Sequence, residues 1–394
     1  MKGLRKFVDN IKPNFVKGGK LEFLESLFDS IETMMFVPNL TTVKGAHIRD
    51  SIDTKRVMTV VITALLPAIL FGLYNAGYQN ALMLGIETTF IENICTGLWV
   101  FLPMVLVSYG VGLGIEVFFA QIHHKEVSEG FLVSGLLIPM IMPADIPLWM
   151  LGLSTAFAVI FGKEVFGGTG MNIFNPALLA RAFAFFAYTP YMSGAEVWVD
   201  GMGKAVKAGE VCDSFTGATA LEQLVNNTPV AERSYSTMDA FLGFIPGSFG
   251  ETSTLAILIG AAILLFTGIG SWRTMLSVFV GGGVMVLIFN MFGGDCVYMQ
   301  TTMCEHFVVG GFAFGAVFMA TDPVTSAQTN VGKYIVGFMT GAIAILIRVI
   351  NPAYPEGMML SILFMNALAP LVDYYVVEAN ISRRNKRIKT VKTE

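Results

Sequence analysis

Ten apolar runs separated by polar breaks organise this chain: 57–77, 97–120, 130–142, 146–161, 176–190, 252–269, 274–292, 306–320, 334–350 and 357–376. Stretches such as Val57–Tyr74, Leu98–Phe119 and Leu255–Gly268 lack the apolar–polar alternation of a soluble core. They approach or reach the ~20 residues that a bilayer core requires. The pattern predicts an all-α polytopic membrane protein with about ten transmembrane helices. Several runs are short. The third and fourth are separated only by Met-Pro-Ala-Asp-Ile-Pro at 142–147, and the eighth runs into Thr321-Asp322-Pro323. Short, Pro-interrupted segments at corresponding positions of two halves mark broken helices that line a site.

Asn175-Pro176 precedes the fifth run and Asn351-Pro352 the tenth, an echo that suggests two repeats of five. Five is odd, so a second copy enters the bilayer inverted. The expected organisation is an arm (1–55), a first five-helix repeat (56–190), a loop (191–250), a second repeat (251–378) and a basic tail (379–394).

Composition agrees. Of 394 residues, 54% are hydrophobic and 14% charged, against roughly 25% charged in an ordinary soluble domain. The position of the cations says more than the net charge of −4. Ten Lys and Arg lie in residues 1–56, single ones follow at Lys125, Lys163, Arg273 and Lys333, and six lie between Arg383 and Lys392. With the N-terminus inside, all of these fall on the inner face, and only Lys204, Lys207 and Arg233 fall outside. Both termini are therefore expected in the cytoplasm and the loop 191–250 outside. Residues 1–55 carry no apolar stretch beside a small-residue cleavage site, so no cleavable signal peptide is expected. Cys95, Cys212, Cys296 and Cys304 show no metal-binding spacing. Cys296 and Cys304 share an outer loop in which a disulfide is conceivable but is not expected. No nucleic-acid partner is expected.

The outer loop contains Asp213-Ser-Phe-Thr216-Gly217-Ala218-Thr219-Ala-Leu-Glu222. On local physics, Thr219 with Glu222 three residues on is a capping box that opens a short helix. The same residues resemble the flavin-attachment motif of the sodium-pumping NADH:quinone oxidoreductases and the related Rnf complexes, with Thr216 where Ser is common. The resemblance to the B-subunit family of these pumps extends along the chain. It is carried by Lys-Gly-Gly-Lys (17–20), Arg49-Asp50-Ser51, Tyr74-Asn75-Ala76-Gly77, Lys163-Glu-Val-Phe-Gly-Gly-Thr-Gly170, Asn175-Pro-Ala-Leu, Ile245-Pro-Gly-Ser, Ala320-Thr-Asp-Pro-Val and Asn351-Pro-Ala-Tyr-Pro-Glu-Gly-Met-Met.

The resemblance implies a fold similar to the inverted-repeat urea transporters. It also implies a six-subunit complex in a bacterial inner membrane, driving Na+ outward as electrons pass from NADH to ubiquinone or menaquinone. NADH oxidation itself is expected on another subunit. Thr219 is implied as the hydroxyl joined by a flavin transferase to the phosphate of FMN, and Asn172 and Asn175 as contacts to noncovalent riboflavin. Without the resemblance, Gly167-Gly-Thr-Gly170 with Asn172 and Asn175 reads as a Gly-rich turn with Asn caps. Gly112 is implied near quinone, although close helix packing is the default reading of Gly112 and Gly114.

Two acids at membrane depth, Glu116 and Asp373, are functional-site candidates by default. Glu116 is expected on the sodium path or near quinone, and Asp373 on the sodium path. The structural alternative pairs each acid with Arg181 or Arg348, or brings it to the interface. Asp322 reads as a turn and cap residue, and His123 and His124 as solvated. The D subunit of an Rnf ferredoxin:NAD oxidoreductase shares the flavin chemistry, and a passive inverted-repeat solute channel shares the expected fold. The motif at Thr219 discriminates against the channel.

Overall fold

The computed structural model describes residues 2–15, 28, 32, 36, 42, 44–48, 54–123, 130–194, 197–202, 215, 217–228, 233–293, 298–351 and 356–393. Among these the regular elements are all helices, and six of them are long and apolar enough to cross a membrane. The chain is a polytopic membrane protein. Asp213, Thr216, Cys296, His124 and the stretches 17–20 and 49–51 lie outside the described residues.

Helix α1 (Lys2–Ile11) belongs to the arm, where Arg5 and Lys12 pair with Glu32 at 3.1 and 2.7 Å. The first five membrane segments are α2 (Thr54–Leu84), α3 (Phe90–His123), α4 (Phe131–Met140), α5 (Leu148–Gly162) and α6 (Pro176–Ala187). Two short helices follow in the loop, α7 (Ala220–Val225) and α8 (Thr237–Leu242). The second half comprises α9 (Thr254–Phe266), α10 (Trp272–Phe292), α11 (Met303–Val308), α12 (Phe312–Phe314), α13 (Asn330–Ile350) and α14 (Met358–Thr393). The α12 turn continues as a π-helical turn through Met319.

Much of the helix packing recurs between the halves, although α2 packs on α3 while α9 and α10 do not pack comparably. In the first, α3 packs on α4 and α5, α5 on α6, and α4 on α2 and α6. In the second, α10 packs on α11 and α13, α13 on α14, and the α12 segment with its π turn on α9 and α14. The halves meet where α2 packs on α9 and α6 on α14. Backbones approach closely through glycine. A methyl group at Gly97 would overlap the Leu73 carbonyl, and one at Gly281 or Gly341 would overlap the Phe338 or Val278 carbonyl. Without a hydrophobic drive between helices in lipid, such small-residue contacts carry the packing.

Segments differ from the sequence expectation at three places. Helix α2 runs to Leu84 instead of 77, and α3 begins at Phe90 instead of 97. The eighth segment is a broken helix as expected, with its break at Val309–Gly311, where Gly310 adopts φ +70°. The tenth continues through the basic tail as one helix.

Short helices leave backbone groups exposed at membrane depth, where each unsatisfied group costs several kcal/mol. The structure meets this locally. Gly250 N donates to the Met140 carbonyl at the end of α4 (2.8 Å), and Arg348 Nη1 donates to the His306 carbonyl of α11 (2.6 Å). Asn175 caps α6, its Oδ1 accepting from Ala177 N and Leu178 N at 3.0 and 3.4 Å.

Candidate functional site

Two cavities lie at opposite ends of α6. The first, of about 250 Å3, collects the C-terminal end of α6 with Phe185, the loop residue Trp198, Thr219 and Glu222 at the start of α7, and Glu251 and Glu356. Thr219 is the N-cap of α7, with extended backbone (φ −63°, ψ 157°), and its Oγ1 accepts from Glu222 N at 3.3 Å. The expected capping box is thus half formed. The return bond from the Glu222 carboxylate is absent among the described residues, whereas Ser236 and Asp239 form both bonds at α8. Thr219 N donates to the Gly194 carbonyl at 2.9 Å. A methyl group at Gly194 would stand 3.2 Å from Thr219 Oγ1 and 2.7 Å from a Glu222 carboxylate oxygen. Glycine there keeps open the space beside the Thr219 hydroxyl. The 245–248 wall is tied to α2 by Asn75 Nδ2, which donates to the Ile245 carbonyl at 2.9 Å.

Arg181 ties together residues that line this cavity. Its guanidinium pairs with Glu251 at 2.5 Å and with Glu356, and its Cζ lies 5.6 Å from the Trp198 ring centroid. Glu251 also accepts from Ser248 Oγ at 2.9 Å. Sequence reading singled out Arg181 as an intramembrane charge but not its partners, because Glu251 and Glu356 lie in connecting segments that look solvated. Leu178, Arg181, Glu251, Met319 and Glu356 line a small void near the middle of the molecule.

The second cavity, of about 90 Å3, lies at the N-terminal end of α6. Asn172, Asn175, Lys163 and Asp322 contribute its polar groups, and side chains such as Val61, Leu137 and Phe318 supply apolar walls. The asparagines are engaged locally. Gly170 N donates to Asn172 Oδ1 (3.3 Å), Asn172 Nδ2 to the Phe174 carbonyl (3.1 Å), and Asn175 Nδ2 to Asp322 Oδ2 (3.3 Å). Primary amides offer two donors and two lone pairs. Among the described residues, Asn172 therefore keeps one donor and one acceptor unused, and Asn175 keeps one donor. Asp322 accepts from Val324 N and Thr325 Oγ1 at 3.1 and 3.0 Å, the turn role expected of it. Burial pushes its carboxyl above the usual range, against these bonds.

Glu116 is buried in α3 and pairs with Lys163, not with Arg181 or Arg348 as sequence reading weighed. Lys163 sits at the C-terminal end of α5, where a lysine is expected to reach water. Gly112, one turn before Glu116, lies under the Phe131 ring, and a methyl group there would overlap it. Gly114 faces open space. Asp373 caps α13 from α14, accepting from Gln328 N at 2.6 Å, from Thr329 N at 3.1 Å and from Thr329 Oγ1 at 2.5 Å. It pairs with neither buried arginine. Cys304 is an exposed free thiol.

Known proteins match this chain over nearly its full length. The profile of the NQR2, RnfD, RnfE family matches residues 41–382. The B subunit of the Na(+)-translocating NADH-quinone reductase of Chromohalobacter salexigens is 46% identical, covering 98% of this chain and 97% of its own length. The proteins of that name from Ectopseudomonas mendocina and Azotobacter vinelandii are 44% and 43% identical, each covering 98% of this chain and 99% of its own length. The chain belongs to the NQR2, RnfD, RnfE family.

Proposed function

We propose that this chain is the membrane redox subunit of a sodium-translocating NADH:quinone reductase, with covalent FMN at Thr219 and riboflavin beside Asn172 and Asn175. The observation that carries the reading is the pair of cavities at the two ends of α6, one lined by Thr219 and the other by both asparagines. Bound there, the two flavins supply reversible electron carriers.

The residues fit these groups. Thr219 presents a hydroxyl, the atom a phosphoester needs, and Gly194 leaves room beside it. Gly217 and Ala218 keep the approach for a flavin transferase free of bulk. The unused donors and acceptor of Asn172 and Asn175 match a ring edge that offers both kinds of partner. The cavity at Asn172 is smaller than the roughly 300–1,000 Å3 of ligand pockets, so the ring displaces side chains such as Met58 on entry.

On this reading the sidedness of the Lys and Arg residues puts Thr219 outside, Asn172 and Asn175 inside, and both termini in the cytoplasm of a bacterial inner membrane. The two halves are the inverted repeats of a common five-helix plan, as their recurring packing suggests. The chain works with the other members of a six-subunit complex. Glu116 serves the sodium path or the quinone, Gly112 the quinone and Asp373 the sodium path.

Co-expression with a flavin transferase tests the reading. The denatured band fluoresces under ultraviolet light, and mass spectrometry finds FMN on Thr219. Thr219→Ala abolishes both. A dark wild-type band with unmodified Thr219 refutes the assignment.

A further inference from the structure

Lys163 turns inward where a helix-terminal lysine would ordinarily run its stem out to water. Its side chain is 4% exposed, and its ammonium pairs with Glu116 of α3, itself 3% exposed. The ammonium also stands 5.9 Å from the centroid of the Phe131 ring, which is fully buried and seated on Gly112. The same lysine side chain lines the cavity of Asn172 and Asn175. Among the described residues lining that cavity, the charged ones are Lys163 and Asp322. Asp322 is held in its own turn by Val324, Thr325 and Asn175. Lys163 instead spans the gap between the cavity and a neighbouring helix.

The pair is poorly explained as a stabilising device. Among the described residues Glu116 Oε2 accepts no hydrogen bond, so half of the carboxylate finds no partner there. Apolar residues of similar volume often hold such a place as well or better. An ionisable group at membrane depth that lines a cavity is better explained by use.

We propose that Lys163 is the electrostatic partner of the ring bound in this cavity, positioned by Glu116. The inference rests on the flavin reading given above. Reduction adds negative charge to a ring held in a water-poor wall, and a fixed cation there favours the reduced state. Glu116 offsets part of that charge and fixes where the ammonium stands. No bond is made or broken at Lys163. It is a positioning and field-setting residue, and it connects the cavity to the α3 face that carries Gly112 and Glu116.

The test uses the complete detergent-solubilised complex carrying Lys163→Met, Lys163→Arg, Glu116→Gln or the Lys163→Met/Glu116→Gln pair. Two quantities are read: acid-extractable riboflavin per complex, and the midpoint potential of the noncovalent flavin, resolved by difference against an Asn172→Leu complex. At fixed poise, Lys163→Met shifts the reduced-to-oxidised ratio at least about tenfold toward oxidised, about 59 mV for a one-electron step. Glu116→Gln shifts it the other way, Lys163→Arg stays near wild type, and the pair falls between the single variants. Should Lys163→Met fail to assemble, the sign is read from Glu116→Gln and from the neutral pair. A Glu116→Gln potential equal to or below wild type overturns the proposal. Unmoved potentials with riboflavin retained sink this inference alone. A wild-type complex without extractable riboflavin sinks the flavin reading as well.

Discussion

Replacing Arg181 by methionine removes the cation that holds two acids together under the Thr219 cavity. Its side chain is 3% exposed, while Glu251 and Glu356 keep 12% and 24% of theirs open. Breaking a buried pair by removing one partner costs about 3–5 kcal/mol, because the charge left behind is desolvated without compensation. Water reaches part of both carboxylates, so the lower end applies, about 3 kcal/mol. One kcal/mol moves a midpoint by about 2–4 °C in domains of 150–250 residues and by less in a longer chain. Arg181→Met is therefore expected to unfold about 3–6 °C below wild type. Scans at one fixed heating rate follow it, since unfolding of such a protein is operationally a rate. Trp198, whose ring stands against the guanidinium, reports the change by fluorescence.

The control separates charge from shape. Arg181→Met combined with Glu251→Gln and Glu356→Gln removes the cation and both anions while keeping most of the volume. It is expected to recover most of the lost stability, as neutral replacements of buried pairs often do. Flavin fluorescence at Thr219 follows the same order, because the two acids line the cavity on which that hydroxyl opens. A triple variant as unstable as the single one refutes the reasoning, since the loss would then come from packing of the arginine stem.

Gly112→Ala places a methyl group on the Phe131 ring and is expected to cost about 1–3 kcal/mol by overpacking. Gly114→Ala faces open space and is expected to be neutral or slightly stabilising, so equal losses in thermal unfolding would contradict the packing role of Gly112. Cys304 is exposed and free. In intact cells carrying Cys95→Ser, Cys212→Ser and Cys296→Ser, a membrane-impermeant maleimide is expected to label it, and labelling only after lysis would reverse the assigned sidedness.

The apolar helices were legible because lipid-facing and interior positions are both apolar, so the hydropathy runs stay unbroken. Their ends were less legible where polar residues are satisfied inside the protein. Asn75, Gln79 and Asn80 make the first run look finished at 77, yet Asn75 and Asn80 donate to the carbonyls of Ile245 and Asp200, and Gln79 donates to Asn75. At the start of α3, Glu92 accepts from Thr89 N, and Asn93 accepts from Thr88 Oγ1. Hydropathy counts such residues as water-seeking, whereas their partners come from chain far away or from the turn just before. The same blindness hid the partners of the buried charges. Lys163 looked like an interfacial lysine, and Glu251 and Glu356 looked like loop acids. Only the fold brings the first to Glu116 and the other two to Arg181.

The shortness of α6 gives the two cavities their meaning. A helix that crossed the whole hydrocarbon core would put its ends about 30 Å apart. From Asn175 at one cavity to Phe185 at the other is ten residues, about 15 Å at the helical rise. The space left beyond each end of the short helix is the cavity itself, so one structural choice creates both cavities and halves the distance between them. Electrons passing between such sites also need an interior that does not trap them by its own charge. Arg181 is balanced there by Glu251 and Glu356, and Arg348 lies within electrostatic reach of both acids. Two guanidinium groups and two carboxylates sum to zero formal charge around Arg181. This neutrality gives a reason to keep a costly buried network where apolar residues would pack as well. Arg181 holds both acids in place, and the acids cancel the field the arginines would otherwise impose on a carrier at either end.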